Sequence, residues 1–174
     1  MASNAEHRST IQTVRRGFEF TLNILIGLLL AGMVIIVFSN VIFRYFLNAA
    51  LAWSDEVSRF MLIWLVFLGA VIAYMRNDHL GLDILLKYLP PLASRLLVVL
   101  ADLLVLFILV VMTQGGLNMT MDSFASGWVS AAVSMPYGFV YMVAPISTIL
   151  MFLEGLLKLA SDMGAVVRTK KGGA

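Results

Sequence analysis

Few side chains in this sequence could do chemistry, and their spacing limits which chemistry. His79 and Asp83 stand four residues apart, a spacing that can put two metal ligands on one helical face. A metal site needs three or four ligands, and with two histidines and no cysteine in the chain none is expected here. Asp78, His79 and Asp83 read instead as residues that cap or end helices at a membrane surface. Haem ligation is not expected either, because neither His7 nor His79 lies within a long apolar run. The absence of cysteine also excludes a thiolate nucleophile and a disulfide framework. Asp102 lies inside an apolar run, where an ionisable group is a functional hypothesis by default. Arg95, seven residues earlier, falls on nearly the same face, which would set Asp102 only about 10 Å below the membrane surface. A structural polar contact with another helix is therefore the first expectation for it. Glu56 and Arg59, three apart, could pair on a helix surface for about 0.2–0.5 kcal/mol, or could engage a second polypeptide.

The elements that position these residues are membrane spans. Of 174 residues 61% are apolar and 13% charged, and the charges cluster between long uncharged runs, which excludes a soluble domain. The net charge of +2 does not point to nucleic acid, since the cations flank apolar runs. Phe20 to Phe43 is 24 residues without a charge, about 36 Å as helix, too long for a cleaved signal peptide and long enough to cross. Phe60 to Met75 is 16 residues, and Arg59 and Arg76 can extend it by reaching to the headgroups. A third run follows Leu89-Pro90-Pro91, which must break any preceding helix. A fourth begins at Ser134-Met135-Pro136, which has the form of an N-cap followed by a first-turn proline, and Pro145 should kink it. The expectation is one all-α membrane domain over 1–174, with four transmembrane helices at about 18–43, 60–76, 92–121 and 134–157. A short interfacial helix is expected over 49–59, where Trp53, Val57, Phe60 and Trp64 share a face. Ten of the twelve Lys and Arg residues lie in the two tails and the second loop, which predicts cytoplasmic N- and C-termini.

The remaining polar and small residues read first as packing. Asn40, Gln114 and Asn118 could hydrogen-bond between helices, and Gly27 with Ala31, or Gly69 with Ala73, could let helices approach closely. The 11 methionines are read as apolar filler. The tails are expected to be too short to form a further domain.

Five features in order carry a family resemblance: Phe43-Arg44-Tyr45, then Trp53-Ser54-Asp55-Glu56-Val57-Ser58-Arg59, then Leu68-Gly69-Ala70, then His79 with Asp83, then Leu89-Pro90. Together they resemble the small, DctQ-like membrane subunit of tripartite ATP-independent periplasmic (TRAP) transporters. The resemblance implies a non-catalytic subunit of the bacterial inner membrane that holds no cofactor. It would pair with a large multi-spanning membrane subunit carrying the substrate and sodium sites, while a periplasmic substrate-binding protein delivers an organic acid such as a C4-dicarboxylate or sialic acid. The small subunit would brace the large one in the bilayer. Arg44, Tyr45, Trp53, Glu56, Arg59, His79, Asp83 and Asp102 are then the candidates for partner-subunit or membrane-interface contacts. The alternative from another class is a self-contained homo-oligomeric channel or exporter that uses Asp102. A membrane enzyme or haem anchor lacks the necessary acid–base or histidine constellation.

Overall fold

The computed structural model describes residues 2–76 and 90–172, and the regular elements among them are helices. They are α1 (Ala2–Phe46), α2 (Ala52–Met75), α3 (Pro91–Ala125), the five-residue α4 (Tyr137–Tyr141) and α5 (Val143–Gly172). Four stretches are long and apolar enough to cross a membrane: Arg15–Phe46, Ala52–Met75, Ala93–Ala125 and Tyr137–Ala160.

The boundaries depart from expectation where local chemistry overrides hydropathy. Nothing between Ala52 and Phe60 can break a helix, so the residues expected as a separate interfacial helix over 49–59 are mostly the first two turns of α2. Pro90 is the N-cap of α3 with extended backbone (φ −61°, ψ 150°) and Pro91 opens the helix, as the proline pair predicts. The helix ends where Gly127 adopts a left-handed conformation (φ 64°) and the Ser126 N–H returns to the Asp122 carbonyl at 2.9 Å. Ser134 is not the N-cap of the fourth span. It has φ 53° in a turn, and Pro136 itself caps α4. Pro145 has its expected effect four residues upstream: without a proline N–H the Tyr141 carbonyl loses its partner, and the helix is interrupted at Met142, between α4 and α5.

The chain divides into two compact units. In the first (residues up to 72, with 129–135), Met61 of α2 lies against Gly32 of α1, where a Cβ would come within 2.8 Å of its terminal methyl. The α1–α2 turn is closed by Asn48, one of the few residue types that tolerates φ 49°, with the Leu47 and Ala49 N–H groups both donating to the Phe43 carbonyl. In the second unit (residues 73–128 and 136–174), α3 packs on α5 and α4. Pro145 and Ala144 press on Gly116, and the Thr113 hydroxyl donates to that of Thr148 at 2.9 Å. Leu106, Leu109, Val140, Val143, Ser147 and Thr148 form its interior.

Candidate functional site

Three polar constellations are built on this frame. The first is the α1–α2 corner. Asn40, in the second-last turn of α1, accepts from the Leu51 N–H through Oδ1 (2.9 Å) and donates through Nδ2 to Asp55 Oδ1 (3.3 Å). One amide thus fixes both the exit of the turn and the first turn of α2, the interhelical role expected of it. Arg44 lies in the last turn of α1, where a cation meets the negative end of the helix dipole. Arg44, Tyr45, Trp53 and Arg59 are all exposed, so the corner presents two guanidinium groups and two aromatic rings on its surface.

The second constellation is centred on Glu56, which is half-buried. Its carboxylate turns to the loop 129–135, where Oε2 accepts from the Ser130 hydroxyl and from the Ala132 N–H (3.2 Å). Ser130 is buried, and its own backbone closes the loop through the Met135 carbonyl and the Ser134 N–H, each at 2.9 Å. The helical spacing of Glu56 and Arg59 suggested a local pair, whereas the carboxylate serves as an anchor for a loop more than 70 residues away in sequence. Sequence reasoning missed Ser130, because a serine in a loop carries no signal of its distant partner.

The third lies inside the membrane-spanning part of the second unit. Asp102 on α3 is buried, and its Oδ1 pairs with Lys158 Nζ of α5 at 3.2 Å. Lys158 was grouped with the C-terminal tail by sequence, but α5 continues past it and brings it to Asp102. Asp102 therefore makes the polar contact with another helix that its position suggested. Its Oδ2 is buried without a hydrogen-bond partner among the described residues.

Other expectations are redistributed. Gln114 and Asn118 are exposed and make no hydrogen bond among the described residues; Thr113 and Thr148 supply the interhelical bond instead. Gly27 and Gly69 meet no neighbouring atoms, while the close approaches occur at Gly32, Gly116, Gly138 and Gly155. His79 and Asp83 lie outside the described residues. Among those described, no three His, Asp or Glu side chains gather as a metal site would require. A cavity of about 320 Å³ near the end of α3 is lined by Met119, Asp122, Ser123, Ser126, Trp128 and Tyr141. Among the described residues, Asn40, Glu56 and Asp102 hold helices and loops together.

Comparison with known proteins agrees with that character. Residues 33–164 match the family described as tripartite ATP-independent periplasmic transporters, DctQ component. A TRAP transporter small permease protein of Haemophilus influenzae is 31% identical over 150 residues, covering 84% of this chain and 90% of that protein. The C4-dicarboxylate TRAP transporter small permease protein DctQ of Vibrio cholerae is 36% identical over 66 residues, 38% of this chain and 28% of its own length. The isethionate TRAP transporter permease protein DctMQ of Oleidesulfovibrio alaskensis is 27% identical over 144 residues, which are 78% of this chain but only 23% of that longer protein. With three quarters of its length matched and four helices able to span a membrane, the chain belongs to the DctQ family, the small membrane subunits of TRAP transporters.

Proposed function

We propose that this subunit braces a large multi-spanning membrane subunit in the bacterial inner membrane, within a sodium-driven symporter that takes up an organic acid delivered by a periplasmic binding protein. The observation that carries the reading is the match to DctMQ, in which the counterpart of this chain accounts for 23% of one longer permease polypeptide. A segment joined covalently to a longer permease stays beside it, which is what a brace must do. The relatives' names include C4-dicarboxylate and isethionate, both organic anions, and this supports an organic acid as the substrate class. The exposed Arg44, Tyr45, Trp53 and Arg59, with Glu56 anchoring the adjoining loop, form the candidate assembly surface; His79 and Asp83 belong to the same proposal on the strength of the family resemblance. A self-contained exporter running on Asp102 is not favoured, since that carboxylate is engaged by Lys158.

Reconstitution tests the proposal. The chain, its large subunit and the binding protein are assembled in liposomes, and uptake of a labelled organic acid is followed with and without an inward sodium gradient. Uptake should need both membrane subunits, the binding protein and sodium. Uptake by this chain alone would overturn the reading.

A further inference from the structure

On α3 the residues packed against α5 and their opposites form two distinct faces. Asp102, Leu106, Leu109 and Thr120 are buried on the inner one. On the outer one, Leu104, Phe107, Val111, Gln114, Asn118 and Met121 are all exposed, with Phe107 69% and Met121 66% accessible. Their spacing alternates three and four, the heptad register that keeps one seam of a helix turned toward a single partner helix over several turns. Gly115 adjoins this seam, and a Cβ there would meet nothing, so a neighbouring backbone has room to come close.

Two of the six seam residues are primary amides at hydrocarbon depth. The span Ala93–Ala125 is centred near residue 109. Gln114 then lies about 8 Å from the midplane and Asn118 about 14 Å, both within the roughly 15 Å half-thickness of the hydrocarbon. Lipid tails offer an amide neither donor nor acceptor. Several other polar side chains of the spans bond within the chain: Thr21 and Asn23 donate to the Gly17 and Glu19 carbonyls, and Thr113 and Thr120 to those of Leu109 and Gly116. Gln114 and Asn118 make no such bond among the described residues, and another polypeptide can supply the partners that lipid does not.

We propose that the α3 seam from Leu104 to Met121 is the surface on which the large membrane subunit docks, with the Gln114 and Asn118 amides hydrogen-bonded into it. This rests on the reading given under Proposed function. The occupant is the large subunit rather than a second copy of this chain, because in DctMQ the segment matching this chain and the rest of the permease are held one to one. The seam's composition suits such a companion: apolar knobs give area, and an amide at two positions fixes register, since a slipped partner would leave it unpaired in lipid.

The test is site-specific photocrosslinking in membranes that co-produce the large subunit. p-Benzoylphenylalanine is placed at Phe107, at Met121 or at Met112, which lies about 100° round the helix from Val111. Crosslinks to the large subunit from 107 and 121, absent or much weaker from 112, support the proposal. Gln114→Leu and Asn118→Leu should each lower recovery of the large subunit roughly threefold, the equivalent of the 0.6 kcal/mol typical of an interhelical hydrogen bond. Neither change should affect folding of the chain, because neither amide makes a hydrogen bond among the described residues. If the large subunit co-purifies but crosslinks equally or only from 112, or if 107 and 121 crosslink to a second copy of this chain, the seam assignment falls while the subunit reading stands. If the unsubstituted chain recovers no large subunit, both fall.

Discussion

Removing the Lys158 ammonium would take from the buried Asp102 carboxylate the cation that pairs with its Oδ1, and an uncompensated buried charge is among the most costly defects a fold can carry. Lys158→Ala should therefore lower stability by about 3 kcal/mol, the low end of the range for buried pairs because the lysine side chain is 24% exposed. The double change Asp102→Leu with Lys158→Leu should recover most of that loss, since apolar replacement of a buried pair is often neutral. Thermal unfolding of the detergent-solubilised chain measures both, and a double variant no more stable than the single one would contradict this account. Glu56 makes a different prediction. Glu56→Ala removes the acceptor for the Ala132 N–H and the Ser130 hydroxyl, and amide exchange at Ala132 should accelerate about tenfold, the value of one charge-assisted bond at a half-buried site. Glu56→Gln keeps an acceptor oxygen and should retain most of the protection. At this scale the sequence announced the groups but seldom their partners. Asp102 and Asn40 were legible as polar groups seeking contacts, because hydrocarbon leaves them little choice. Lys158 and Ser130 were not, because both partnerships depend on elements distant in sequence.

At the scale of the elements, the same limit separates where helices run from which faces meet. Charge-free length located four spans, and the Pro90-Pro91 pair located the start of α3, because each is decided by a few consecutive residues. Contact faces were not legible: Gly27 with Ala31 and Gly69 with Ala73 have the spacing of packing motifs, yet nothing lies near either glycine. Gly116 with Thr120 on α3 and Ala144 with Thr148 on α5 have that same four-residue spacing, and it is Gly116 that Ala144 and Pro145 press upon. Pattern alone cannot choose between them, since packing depends on what the opposing helix presents. Two substitutions of identical chemistry separate the cases. Gly116→Ala would put a methyl 3.1 Å from the Pro145 Cδ and 3.2 Å from its nitrogen, a backbone obstacle that cannot turn aside, and should cost about 1–3 kcal/mol. Gly27→Ala meets open space and should be neutral or stabilising by up to about 1 kcal/mol through helix propensity. Equal melting temperatures for the two variants would show that the α3–α5 contact does not constrain Gly116.

For the whole molecule, four crossings would place both termini on one side of the membrane, and charge would decide which side. Of the twelve Lys and Arg residues, Arg44 and Arg59 flank the α1–α2 corner, and none falls between Leu96 and Leu157. Lys158, paired within the membrane-spanning part, no longer counts toward either side, which leaves nine cations on the side of the termini against two. Short cation-rich segments resist translocation, so the termini should be cytoplasmic and the α1–α2 corner, with its exposed arginines and aromatics, should face the periplasm. That is also the side from which a periplasmic binding protein would approach. A chain without cysteine makes the test direct, because each introduced thiol is the only one on it. Leu47→Cys, at an exposed position in the corner, should react with a membrane-impermeant maleimide added to intact cells. Arg168→Cys should react only after the membrane is permeabilised. The reverse pattern would put the corner in the cytoplasm, out of reach of a periplasmic binding protein, while leaving the α3 seam unaffected, since a surface within the bilayer reads the same from either side.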